Sequence, residues 1–186
     1  MTAAQKEAAQ KKCNIILLPE VFDLAWTDVS AKSESEEIPG KRSDILCREA
    51  KKNKIYICAG LTEKYNNKTY NTAILIDKFG KVILKYQKIN LLKFEQGFYE
   101  IGRSLSVIDT EFGKIGINIC ADNYRDSLHI GHTLSRMGAQ LILSPSSWTV
   151  NYDVSEDKDP YKNKWLEPYT ILSKTYDLVI IGATSV

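Results

Sequence analysis

Histidine is almost absent from this sequence: His129 and His132 are the only two in 186 residues. Both fall in a predicted helix after Cys120, about one turn apart, and read as the solvated face of that helix. Pairing Cys120 with a histidine, as thiol proteases do, therefore has little material. A metal site has less, since no third and fourth ligand accompanies the pair. Cysteine is also scarce. Cys13, Cys47, Cys58 and Cys120 show no CxxC spacing and no zinc-type His/Cys cluster. Three of them sit in apolar or helical runs, so the expectation is reduced thiols in a cytoplasmic protein. No apolar run approaches the roughly 18 residues of a membrane span. The first residues, Met1 to Glu7, lack the apolar core of a signal peptide. A net charge of +2, with basic residues scattered rather than striped, gives no electrostatic case for nucleic acid or a membrane surface. There is no internal repeat and no low-complexity tract.

What remains is an ordinary globular composition, 44% hydrophobic and 26% charged, long enough for one domain over residues 1–186. The pattern predicts a helix over Thr2–Lys12, which is Ala-, Gln- and Lys-rich with Thr2 as cap. A doubly covered strand follows at Ile15–Leu18, and Ser30–Gly40 reads as a loop. A helix capped by Ser43 runs to about Asn53, with Ile45, Leu46 and Ala50 inward. Strands follow at Ile55–Leu61, Asn71–Asp77 and Lys81–Gln87, the last two joined by a hairpin at Lys78-Phe79-Gly80. Leu91–Gly102 is an irregular aromatic segment carrying Glu95 and Glu100. A strand at Ser106–Asp109 precedes one from Lys114 to Cys120. A helix at Ser127–Gly138 turns Leu128, Leu134 and Met137 inward. A strand at Leu141–Leu143, a polar loop at Asn151–Pro160, a helix at Tyr161–Tyr176 and a strand at Leu178–Ala183 complete the chain. Helices alternating with short apolar strands argue for a layered α/β domain with both sheet faces covered.

Three polar residues interrupt this apolar pattern. Glu20 follows the strand Ile15–Leu18. Lys88 continues the apolar face of Val82, Leu84 and Tyr86, where a lysine must snorkel past the sheet edge or sit in a polar pocket. Cys120 ends the strand whose other face carries Ile115, Ile117 and Ile119, just before the polar turn Asp122-Asn123-Tyr124-Arg125-Asp126. Taken alone, Cys120 reads as a small buried hydrophobe. Sheet proteins gather their sites at the carboxyl ends of strands, so the three can meet. Together they divide the work of amide hydrolysis: the thiol attacks, the carboxylate takes and returns the proton, and the ammonium stabilises the oxyanion. Asn123 and Tyr124, directly after the thiol, are candidates to face substrate. Trp148, ending the segment Ser144-Pro145-Ser146-Ser147, reads as a pocket lining or as an aromatic lid over the core.

The segments Leu18-Pro19-Glu20, Tyr86-Gln87-Lys88-Ile89-Asn90-Leu91 and Gly113-Lys114-Ile115-Gly116-Ile117-Asn118-Ile119-Cys120-Ala121-Asp122 resemble, in order and spacing, the three catalytic segments of the nitrilase superfamily of carbon–nitrogen hydrolases. The resemblance implies Cys120 as nucleophile, Glu20 as general base and acid, and Lys88 with the Ala121 N–H as oxyanion donors. Counting back from Gly102, it implies Glu95 as a supporting glutamate. It also implies a four-layer α-β-β-α sandwich, no metal or organic cofactor, a small-molecule amide or nitrile as substrate, and homodimers or larger homo-oligomers. The turn Ala121-Asp122-Asn123-Tyr124-Arg125-Asp126 departs from the family's usual residues and implies a differently shaped pocket. Members usually begin with a further strand and continue past the last strand here, so a partial domain is expected. The alternative reading is an inactive or split hydrolase fragment serving as a binding or assembly module.

Overall fold

The computed structural model describes residues 7, 8, 10–148, 155, 157 and 161–185. The predicted helix Thr2–Lys12 lies partly outside them, with Glu7, Ala8 and Gln10 helical. The predicted loop Asn151–Pro160 lies almost wholly outside them. The elements run β1 (Ile15–Leu17), α1 (Ala31–Glu34), α2 (Lys41–Asn53), β2 (Tyr56–Tyr65), β3 (Lys68–Ile76), β4 (Val82–Gln87), β5 (Val107–Thr110), β6 (Gly113–Ile117), α3 (Leu128–Arg136), β7 (Leu141–Ser146), α4 (Tyr161–Tyr176) and β8 (Val179–Thr184). Two four-stranded sheets form, in orders β1-β2-β3-β4 and β5-β6-β7-β8. β1 is parallel to β2, and β2, β3 and β4 form an antiparallel meander. In the second sheet β5 and β6 are antiparallel, while β6, β7 and β8 are parallel.

The strands alternate as a sheet buried on both faces requires. Cys58, Ala73, Leu75, Leu84 and Tyr86 of the first sheet meet Ile115, Ile117, Ile119, Leu141 and Leu143 of the second in a shared central core. On the outer face of the first sheet Ile57, Ala59, Ile74 and Ile76 pack on Leu46 and Ala50 of α2. On the outer face of the second, Ile142 packs on Ile130 and Leu134 of α3. The result is the layering helix, sheet, sheet, helix expected from the sequence. Each large side chain so buried contributes on the order of 1.5–3 kcal/mol.

Several local expectations change. The segment Ser30–Gly40 contains the short helix α1. Gly40, not Ser43, caps α2; Ser43 sits at its third position, and its hydroxyl accepts the Gly40 N–H at 2.8 Å. Ile45 is exposed on α2, and Met137, just past α3, is exposed as well; the inward stripe of α3 is Ile130 and Leu134. Pairing shifts between Leu75 and Ile76. The resulting bulge turns Val82 to the outer core and Ile83 to the central one, so the inner face of β4 is Leu84, Tyr86 and then Lys88. The strand expected to reach Cys120 ends its regular pairing at Ile117. Beyond it Cys120 opens a 3-10 turn, Cys120–Asn123, with φ +45°.

Candidate active site

The glutamate segment joins the two sheets. The Gly60 N–H of β2 donates to Pro19 O at 3.1 Å, and the Glu20 N–H donates to Ser146 O of β7 at 3.2 Å. Gly60 permits this approach: a Cβ there would lie 2.6 Å from Glu20 Cα and from Val21 N, closer than any side chain can pack. Val21 is held at φ +38° and Cys120 at φ +45°. Non-glycine residues occupy that region at a cost of roughly 1–2 kcal/mol each, so strain collects on the residues flanking the candidate site.

Lys88 enters from the inner face of β4 and is completely buried. Its ammonium donates to Glu20 Oε1 at 2.8 Å and to Glu95 at 2.8 and 3.1 Å. Of the two readings of a lysine on an apolar face, the enclosed ammonium is the one realised. Glu20 is anchored further by the Asn71 amide, 2.6 Å from Oε1, and by the Ser147 N–H, 2.8 Å from Oε2. Glu95 is anchored by the Trp26 indole N–H and the Leu92 N–H, each at 2.8 Å. Glu100, the other carboxylate of that segment, forms a surface pair with Lys68. One ammonium thus serves two buried carboxylates.

The Cys120 thiol is buried and adjoins this cluster. Burial first, and the Glu20 carboxylate next, push it well above the usual thiol range, while the Lys88 ammonium and the Ser147 N–H pull the other way. Burial disfavours the Lys88 ammonium, but Glu20, Cys120 and Glu95 outweigh it and raise Lys88 above the usual lysine range. The arrangement therefore holds a neutral thiol beside a fixed ammonium. A thiolate would add a third negative charge to a site holding one positive charge, so ionising the thiol requires a partner that takes the proton in the same step.

The turn after Cys120 is fixed by Asp122, whose carboxylate accepts the Tyr86 hydroxyl at 2.7 Å and the N–H groups of Asn90 and Ile119 at 2.8 Å. Burial raises this carboxyl to about 6, with those hydrogen bonds opposing. Ala121 is buried, and its carbonyl accepts the Asn90 amide at 2.7 Å. Asn123 does not face the cleft, contrary to its expected role. It is 2% exposed, and its amide bonds Asn118, the Cys120 carbonyl and the Ser144 hydroxyl. These bonds hold the side chain inward, beneath the turn. Tyr124 and Trp148 lie together, ring centroids 5.0 Å apart, and both line a cleft of about 590 Å³. His132 is engaged with the Tyr176 hydroxyl at 2.9 Å, and His129 is exposed. Among the described residues no group of three or more His, Cys, Asp and Glu could hold a metal ion.

Sequence reasoning missed Asn71, Trp26, the Ser147 N–H and Gly60. Asn71 left a faint signal, a carboxamide inside an otherwise buried strand; the others left none.

A carboxylate, an ammonium and a thiol thus adjoin one another at the strand ends of a four-layer sandwich. The chain belongs to the carbon–nitrogen hydrolase family, whose model matches residues 1–170. It is 30% identical over 155 residues to omega-amidase NIT2-B of Xenopus laevis, an alignment covering 78% of this chain and 55% of that protein. It is 32% identical over 152 residues to a nitrilase of Pyrococcus abyssi, covering 79% and 57%. The chain thus spans little more than half the length of these relatives. A carbon–nitrogen hydrolase from Helicobacter pylori has the same fold, with a TM-score of 0.81 at 20% identity over 97% of this chain and 65% of that one. A variant of the amidase from Nesterenkonia sp. AN1, with the acetamide moiety of fluoroacetamide on its active-site cysteine, superposes with a TM-score of 0.79 at 17% identity, over 97% and 66% of the two chains.

Proposed function

We propose that this chain carries the catalytic centre of a hydrolase that cleaves a non-peptide carbon–nitrogen bond in a small amide through a thioester on Cys120. The observation that carries this reading is the buried Lys88 ammonium shared between Glu20 and Glu95 beside a thiol. Such a charge arrangement is costly to fold and has little value as packing alone. In the proposed sequence Cys120 Sγ forms a bond to the carbonyl carbon as its proton passes to Glu20. The oxyanion is stabilised by Lys88 and the Ala121 N–H. Collapse breaks the carbon–nitrogen bond, and Glu20 returns the proton to the departing amine. Water then attacks the thioester, losing a proton to Glu20, and the thiol is regenerated with the free acid. Glu95 holds Lys88 in place. An amide is favoured over a nitrile because a carboxylate that both takes and returns a proton suits an amine leaving group.

Homo-oligomer assembly and a cytoplasmic location belong to the same proposal; four unpaired thiols suit a reducing compartment. A second reading, a hydrolase unit that works only when joined to further structure, is favoured by β8. Among the described residues it has a single partner strand, and Val179 and Ile181 are 58% and 43% exposed. Incubation with small primary amides, following ammonia release and the intact mass of the protein, tests the proposal. Turnover with an acyl adduct that disappears in Cys120→Ala supports it. Absence of both from the chain alone, with both restored in a longer protein, supports the second reading.

A further inference from the structure

The cleft lined by Tyr124, in the segment just after Cys120, and by Trp148 carries aromatic rings that brace one another. Tyr124 meets Trp148 at 5.0 Å, Trp148 meets Trp165 of α4 at 4.3 Å, and Trp165 meets Tyr169 at 5.7 Å with planes 81° apart. Rings held by neighbouring rings lose little freedom when a ligand arrives. The walls are also tied to the reacting groups. The Tyr124 N–H donates to Ala121 O at 3.1 Å within the nucleophile's own turn. Trp148 follows Ser147, whose N–H holds Glu20 Oε2. Burial, then a charge on Cys120, raise the Tyr124 phenol above its usual range.

The rim is charged but balanced. Arg125, Asp126, Lys164 and Glu167 line it, with Arg125 and Glu167 paired at 3.5 Å in the open. Among the described lining residues two cations and two carboxylates balance, so no excess of either sign is there to hold a charged substrate end. The floor between them, Pro168 with the rings of Tyr124 and Trp148, is apolar. A volume of about 590 Å³ lies within the usual size of a small-ligand pocket and exceeds what a short aliphatic amide would fill.

We propose that this cleft binds an uncharged aromatic group of the substrate, so that the amide hydrolysed at Cys120 is an aryl or arylalkyl amide, with the ring seated against Tyr124 and Trp148. The inference rests on the hydrolase reading above and adds the substrate class to it. Ring stacking of this kind is worth about tenfold in relative rate.

The test compares two alkylating probes on the full chain, iodoacetamide and N-benzyl iodoacetamide, each rate normalised to its reaction with glutathione. In both, Cys120 Sγ displaces iodide as the thiol proton passes to Glu20. The expected result is Cys120 labelling about tenfold faster by the benzyl probe, with phenylacetamide protecting better than isobutyramide. Trp148→Ala and, independently, Tyr124→Leu bring the ratio of the two rates towards one. Equal normalised rates in the wild type, or a ratio that survives both substitutions, overturn the aromatic subsite and leave the hydrolase reading standing. Failure of either probe to label Cys120 faster than the exposed Cys13 overturns both.

Discussion

Strand β4 carries Lys85 and is followed directly by Lys88, and each lysine meets a buried glutamate. Lys85 points to the outer side of the first sheet and pairs with Glu63, while its side chain stays 33% exposed and its ammonium lies 5.0 Å from the Tyr65 ring. Glu63 is completed by the Thr72 hydroxyl at 2.8 Å and the Gln87 amide at 2.9 Å. Charge is balanced there, and the Glu63 carboxylate is fully partnered. Lys88 points to the inner side, has no exposure, and serves two carboxylates. Beside it Asn71 Oδ1 is buried without a hydrogen-bond partner, and a thiol completes the cluster. A balanced and satisfied pair is what packing alone produces. An unbalanced cluster with unused hydrogen-bonding capacity is what the proposed hydrolytic centre calls for.

The largest effects should separate the two lysines. Lys88→Met leaves two buried carboxylates uncompensated; it should abolish amide turnover and cost about 3–5 kcal/mol in urea unfolding. Lys85→Met should cost about 1–2 kcal/mol, because Glu63 keeps its other donors and the lysine is partly in water, and turnover should persist. The neighbouring residues of β3 sharpen the same contrast. Asn71→Ala frees Glu20 to rotate and should lower the rate by about 100-fold with little change in KM. Thr72→Val, one residue along, touches only Glu63 and should cost about 1 kcal/mol of stability with the rate kept.

Asp122 gives a pH signature. Its folded value of about 6 lies above the ordinary 3.8, so the folded state binds the proton more tightly than the unfolded chain. The sign follows: this group's contribution is complete below about pH 4 and is lost as pH rises through 6. Urea midpoints of wild type and Asp122→Asn should therefore diverge toward low pH, with the wild-type advantage larger at pH 4 than at pH 7 by up to about 3 kcal/mol. A constant difference across that range would contradict the assignment. The smallest effect concerns strain. Cys120→Gly should change stability by less than about 1 kcal/mol, because relief of φ +45° offsets the cavity left by the buried thiol, while losing all turnover. The same substitution at the buried Cys58 of β2 should destabilise, since it opens a cavity and weakens a strand.

Much of the site was legible because each of its three main residues breaks an apolar pattern at the end of a strand. Glu20, Lys88 and Cys120 are conspicuous for that reason, and the layered fold followed from alternating short strands and helices. What could not be read is what other parts of the chain bring to them. The donors to Glu20 come from 51 and 127 residues away, and the indole that holds Glu95 from 69. No local periodicity encodes such pairings. Asn123 misled because adjacency to the thiol says nothing of which way a 3-10 turn faces. Val82 misled because a bulge reverses the alternation on which the face assignment depends.

The central claim is that Glu20, and not merely some buried glutamate, activates Cys120. The direct measurement is the rate of Cys120 alkylation by iodoacetamide at neutral pH, read by intact mass for wild type, Glu20→Gln and Glu63→Gln. The account predicts labelling at Cys120 that slows at least about tenfold in Glu20→Gln and is unchanged in Glu63→Gln. Equal slowing in both variants, or none in Glu20→Gln, would contradict it.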